Sequence, residues 1–134
     1  MIDVEIDIYS DLAKRIYADF PDAFVSSEHV EVPAQFPAVS IIETTNVEDE
    51  TRNDSSGDEN AATLTYTIDV YSNSESKGKT ECKQIIAIVN DRLRFLNFNR
   101  VFSRPTDNVA DPTIYRMTAR FTGNVNKNNV FFGR

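Results

Sequence analysis

Residues that commonly carry out chemistry are scarce in this chain. It has one histidine, His29, and one cysteine, Cys82. A nucleophilic Cys–His pair would have to use these two, but Cys82 falls on the apolar stripe of a predicted helix, where a buried, unreactive thiol is the common case. A zinc site needs several His or Cys ligands. We therefore expect no enzymatic activity and no cofactor.

Acidic side chains are concentrated in residues 46–60, NVEDETRNDSSGDEN. Aligning Gly57 with the invariant glycine of a calcium-binding EF-hand loop puts Arg52 at the first ligand position and Thr63 at the last, and neither fits. An irregular divalent-cation site is the alternative to a solvated, flexible hairpin loop. The acidic residues that we expect to contact a partner are Glu48, Asp49, Glu50, Asp54, Asp58 and Glu59.

Four arginines form a second candidate surface. Arg116 and Arg120 are four residues apart in a predicted strand, which places them on one face, and Arg100 and Arg104 have the same spacing. Pairing of the two strands would join them into one basic patch. The alternatives are a solvated sheet face, a contact with an acidic protein surface, and a phosphate or DNA contact. The last is disfavoured because few aromatic residues interleave with the arginines.

Charge is divided between the two halves of the chain. Residues 1–72 hold 16 Asp/Glu and 3 Lys/Arg, whereas residues 73–134 hold 5 Asp/Glu and 11 Lys/Arg. A chain of 134 residues is expected to form a single domain, 1–134, so both fields lie on one body. Opposed fields favour association of like copies, and head-to-tail contacts close into a ring or extend as a filament. The alternative is a dipolar monomer.

Bulk composition excludes several classes of protein. No apolar run reaches the roughly 18 residues of a membrane span. The first residues are acidic, which is atypical of a secretory signal. A single cysteine excludes an internal disulfide framework and fits synthesis in a reducing cytoplasm. The formal net charge of −7 argues against wrapping of nucleic acid.

Hydrophobic periodicity predicts two helices, one over at least Ser10–Asp19 and one over Thr80–Leu96, although the residues before Ser10 also alternate as in a strand. Residues 21–37 hold three prolines and read as irregular or edge structure. Four strands are predicted from β-branched content and alternation: Ala38–Thr45, Ala62–Ser72, Val101–Arg104 (ended by Pro105) and Ile114–Val125.

These elements predict an α+β fold with two layers. The first two strands form a hairpin around the long loop, the last two form another, and the helices pack on one face of a mixed or antiparallel sheet of about four strands. Residues 126–134 follow as a mobile, polar tail. Its aromatic residues Phe131 and Phe132 are candidate anchors for a partner surface.

Four segments of the chain resemble a family of bacteriophage structural proteins. The segments are FPAVSI (Phe36–Ile41), YTIDVYSN (Tyr66–Asn73), ECKQIIAIVND (Glu81–Asp91) and IYRMTARF (Ile114–Phe121). In this order they resemble the tail terminator, or tail completion, proteins of phages with long tails. The resemblance covers roughly residues 10–134 and includes no catalytic signature.

The resemblance implies a subunit of the virion neck, made in the host bacterial cytoplasm. It implies a ring, typically a hexamer, at the head-proximal end of the tail, where it stops tube polymerisation. The implied partners are further copies of the chain, the tail tube protein and the head connector or stopper protein, while DNA passes through the lumen without sequence-specific binding. The alternatives are another neck component, such as a head-completion or stopper protein, and, from a different class, a small cytosolic ligand-binding module or enzyme.

Overall fold

The structure is a computed structural model that describes residues 1–30, 33–49, 60–107 and 111–132. Within these ranges the chain forms two helices and six strands. In chain order they are α1 (Glu5–Asp19), β1 (Phe24–Ser26), β2 (Ala38–Glu48), β3 (Ala61–Ser72), α2 (Gly78–Phe95), β4 (Asn99–Thr106), β5 (Tyr115–Asn126) and β6 (Phe131–Phe132).

All six strands belong to one mixed sheet. Five of them are neighbours in the order β1-β2-β3-β5-β4, and the sixth, β6, pairs with β5. β1 runs parallel to β2, and the other pairs are antiparallel. Because β3 pairs with β5 along the whole length of β5, the short strand β6 lies beside β4 on the opposite margin of β5. The antiparallel pairing predicted for β2 with β3 and for β4 with β5 is present.

The main core lies between the helices and one face of the sheet. The apolar stripe of α1 supplies Leu12 and Ile16, and that of α2 supplies Ile85 and Leu93, all of them fully buried. Inward-pointing side chains of the central strands meet them, including Ile68. Burial of each such side chain stabilises the fold by about 1.5–3 kcal/mol. The buried positions therefore recur at helical spacing, which is the pattern that predicts the two helices. The two-layer α+β prediction is confirmed.

The opposite face of the sheet is polar over most of its area. A small apolar cluster covers one end of it, where Ala38, Tyr71 and Ile114 pack with Phe24 and Phe36. Elsewhere partly exposed threonines alternate along β3, as the pattern of that strand predicts. The sheet therefore has one helix-covered face and one largely open face.

Several boundaries differ from the predictions, and the sheet has six strands rather than about four. α1 begins at Glu5, where the backbone N–H of Glu5 donates to the Asp3 carboxylate at 3.1 Å. β1 is an added edge strand inside 21–37. β4 continues through Pro105 to Thr106, because an edge strand has an outer margin where the missing N–H of proline is no loss.

The predicted loop 46–60 is shorter than expected. β2 continues to Glu48, and the backbone N–H of Asp49 donates to the Ala61 carbonyl at 2.9 Å, which closes the hairpin ladder. The predicted contact residues Glu50, Asp54, Asp58 and Glu59 lie outside the described residues.

The predicted tail pairs with the sheet as far as Phe132. The chain turns after Asn126 and returns as β6, and the Phe131 ring lies 5.6 Å from the Phe98 ring, which is fully buried. The Asn97 side-chain amide donates to the Phe131 carbonyl at 3.1 Å. Phe98 also requires a glycine at position 123, because a Cβ there would lie 2.7 Å from its ring. The tail is therefore anchored to its own core.

Candidate assembly surface

A β-bulge in β4 places the predicted arginines on two different faces. The register shifts between Arg100, which lies opposite Phe121, and Phe102, which lies opposite Arg120. Phe121 is fully buried under the helices, so Arg100 lies on the helix side, whereas Arg104 lies on the open side. The prediction that Arg100 and Arg104 share a face is wrong, because one extra residue inverts the alternation.

Arg104 and Arg120 form the exposed basic pair of the open face. Their guanidinium carbons lie 4.6 Å and 5.2 Å from the centre of the Phe102 ring. Each such cation–π contact contributes about 0.5–1 kcal/mol at an exposed site. Neither arginine forms an ion pair with a carboxylate of the described residues, so both charges are available to a partner.

Phe102 was missed by the sequence reasoning, although a signal was present. In the segment RVFSR it stands between Arg100 and Arg104, two residues before the latter. An aromatic residue two positions from an arginine shares its strand face and supports its guanidinium.

Arg116 has a different role from Arg120. Its Nε and Nη2 atoms both lie 3.1 Å from Oδ1 of Asp69, whose side chain is 6% exposed. The hydroxyl of Thr118 donates to the same oxygen, and Thr106 donates to Thr118 at 2.8 Å. The Arg116 guanidinium also lies 5.5 Å from the centre of the Tyr71 ring. The charge of Arg116 is therefore neutralised within the chain, which corrects its assignment to a free basic patch.

A basic groove lies between α2 and β4. It encloses about 420 Å³, and its apolar floor includes Ile86 and Met117. Arg100 borders it and donates to the Asn90 side chain at 2.9 Å. The charged side chains on the helix side of the groove are Lys79, Lys83, Arg100 and Asp91, whereas Arg104 borders the groove from β4 with its side chain on the open face. Three cations against one carboxylate favour the binding of an acidic surface.

An acidic corner lies at the other side of the fold. The Tyr66 hydroxyl donates to the Glu43 carboxylate at 3.1 Å. Burial raises the pKa of Glu43, and the nearby charges of Glu5 and Asp3 raise it further, although the Tyr66 hydrogen bond opposes them. Burial and then the Glu43 charge raise the pKa of Tyr66 above its ordinary value. This corner carries a concentrated negative field.

The two helices are joined by a charged contact that is separate from these surfaces. Arg92 Nε donates to Asp11 Oδ2 at 2.7 Å, and Arg15 donates to Oδ1 at 3.0 Å. Burial raises the pKa of Asp11, but the hydrogen bonds from Arg92 and Arg15 outweigh it and hold the pKa below its usual range. The contact fixes the packing of α1 against α2.

Cys82 lies in the core, as its position in the helical stripe predicts. Burial and then the Glu81 charge raise the pKa of its thiol to about 12, so the thiolate is scarce at neutral pH. His29 is exposed in the segment after β1. Among the described residues, no three His, Cys, Asp or Glu side chains are grouped closely enough to hold a metal ion.

No protein-family model matches the chain, and no curated protein matches it either. Neither of the two helices described is long and apolar enough to cross a membrane.

Proposed function

We propose that this chain is a structural, non-enzymatic subunit of a phage virion that assembles as a ring at the head-proximal end of a long tail. The observation that carries the proposal is the separation of charge on one small fold. The acidic corner around Glu43 and the basic surface of β4 and α2 lie on different parts of the molecule. Unlike surfaces support head-to-tail association of like copies.

The resemblance of the four sequence segments to tail terminator proteins gives this association its setting. Six copies of the 15.2 kDa chain make a ring of about 90 kDa. The exposed pair Arg104 and Arg120, supported by Phe102, offers a further surface on the open sheet face. That surface suits an acidic partner, such as the tail tube protein or the head connector.

Capping follows from mismatch between the two sides of such a ring. A tail tube grows because each added ring presents a surface that recruits the next one. A terminator has to match that surface on one side and fail to reproduce it on the other, where the head connector binds. This mechanism requires neither hydrolysis nor a cofactor.

The test is the length distribution of tail tubes assembled with increasing amounts of the purified protein, measured by negative-stain microscopy. We expect elongation to stop in proportion to the protein bound per tube end, without ATP or added metal. If tube lengths stay unchanged and the protein binds the empty capsid vertex, the chain is a stopper protein and the terminator proposal is wrong. A large thermal shift with a nucleotide or metal, together with no effect on tubes, would favour a ligand-binding module.

A further inference from the structure

The first turn of α1 and the α2–β4 groove lie at opposite margins of the helix layer. α1 sits over the β1–β2 side of the sheet, where Tyr9 donates to the Val25 carbonyl at 3.0 Å and Asn46 donates to the Ile2 carbonyl at 2.8 Å. α2 covers β3, β5 and β4. A chain therefore cannot fill its own groove with its own α1.

The groove combines a cationic mouth with an apolar floor. Neither Lys79 nor Lys83 forms an ion pair within the part of the chain that the structure describes, and Arg100 donates to a neutral amide. Ile86 and Met117 line the floor between these cations. Such a groove fits an apolar side chain that is flanked by carboxylates.

The first turn of α1 presents that combination. Ile6 is 78% exposed, although it lies in a helix whose other isoleucines, Ile8 and Ile16, are buried. Asp3, two residues before the helix begins, and Asp7, the residue after Ile6, are also exposed. An exposed apolar side chain with two exposed carboxylates close by in the chain is the complement of the groove.

We propose that the first turn of α1 in one copy of this chain docks in the α2–β4 groove of the next copy. Ile6 lies against the apolar floor, and Asp3 and Asp7 face the cations of the mouth, including Lys83. The contact joins two unlike surfaces, so its repetition generates a ring or an open helix. The inference rests on the self-assembly in the proposed function and names the contact that produces it.

Disulfide trapping between two variants tests the contact. Ile6→Cys is mixed with Ala87→Cys, whose side chain is exposed and borders the groove. Docking brings the two positions within the roughly 4–7 Å between Cα atoms that a disulfide requires. We expect a cross-linked dimer, and Cys82 does not compete because it is fully buried. The matched control replaces Ala87→Cys by Gln84→Cys, an exposed α2 position outside the groove.

Charge reversal gives a second, independent measurement. We expect Asp7→Lys and Lys83→Glu each to weaken self-association about tenfold at low salt, measured by sedimentation equilibrium. The double variant should recover to within about threefold of the unaltered chain, because the reversed charges again attract. Both positions are exposed, and far-UV circular dichroism checks that each variant is folded.

The outcomes separate this inference from the proposed function. If the chain assembles and caps tubes while Ile6→Cys cross-links equally to positions 84 and 87, the groove contact is wrong and the ring function stands. Cross-linking that is specific for position 87, in a protein that leaves tube length unchanged, supports the contact and overturns the terminator function. If the chain stays monomeric at about 1 mM in solution and also binds tube ends as a single copy, the groove contact and the ring function are both overturned.

Discussion

Replacement of Arg116 by methionine is expected to destabilise the fold strongly, whereas the same change at Arg120 is not. Both arginines extend from the same face of β5, four residues apart. Only Arg116 neutralises a buried carboxylate, that of Asp69, through contacts of 3.1 Å from two of its nitrogens. Methionine preserves most of the aliphatic stem in both variants, so the comparison isolates the guanidinium group.

The magnitude follows from the burial of the pair. Breaking a buried ion pair by removing one partner costs about 3–5 kcal/mol. The Arg116 side chain is 19% exposed, so water reaches part of the site, and we expect a loss of about 2–4 kcal/mol. With a urea dependence of about 2 kcal/mol per molar, the unfolding midpoint should fall by about 1–2 M. Arg120→Met should change the free energy of unfolding by less than about 1 kcal/mol.

Urea unfolding followed by circular dichroism measures both variants. Adding Asp69→Asn to Arg116→Met removes the stranded carboxylate while keeping an acceptor for the Thr118 hydroxyl, so the double variant should recover part of the loss. Equal midpoints for Arg116→Met and Arg120→Met would refute the division of the two arginines into an internal partner and a surface charge.

Three further predictions concern the acidic corner, the tail and the open face. Glu43→Gln should raise the free energy of unfolding at neutral pH, because the folded state raises the pKa of Glu43 and so disfavours its charged form. This gain in stability should vanish as the pH falls below about 4.5, where Glu43 is protonated in both states. Thermal melts recorded over a range of pH test this. Phe131→Ala should cost about 1–3 kcal/mol in urea unfolding, since the ring packs against Phe98, and an unchanged midpoint would restore the free-tail prediction. Reversal of Arg104 and Arg120 to Glu should weaken ring formation or docking at tube ends in low salt without lowering the melting temperature by more than a few degrees, and normal assembly of this variant would make the pair a solvated surface.

Elements with a strong local pattern were predictable from the sequence. The alternation in Ala61–Ser72 and the helical spacing in Gly78–Phe95 arise because one side of each element is buried along its whole length. The hydrophobic stripe then records the fold directly. The boundaries moved by a few residues at most, because strand and helix ends depend on pairing and capping more than on periodicity.

Features that depend on distant partners were not predictable in the same way. Asp69 and Arg116 are 47 residues apart, and only the pairing of β3 with β5 makes them neighbours. The bulge between Arg100 and Phe102 is likewise a property of two strands together. A local reading assigns all four arginines to one surface, whereas the sheet divides them among a buried pair, a helix-side groove and an exposed face.

The margins of the sheet bear on how copies of this chain would contact one another in the proposed ring. β1 has three residues, and the carbonyl of its middle residue, Val25, already accepts from Tyr9. β4 is longer, but it carries a bulge, two arginines and Pro105, all of which disfavour the addition of another strand. Continuation of the sheet from copy to copy is therefore disfavoured at both margins. The proposed assembly would then use side-chain surfaces. Their charge would make it sensitive to salt, whereas assembly by backbone pairing would be insensitive to salt. A ring that dissociates between about 0.05 and 0.5 M salt fits side-chain contacts, and one that is indifferent to salt over this range points to strand pairing instead.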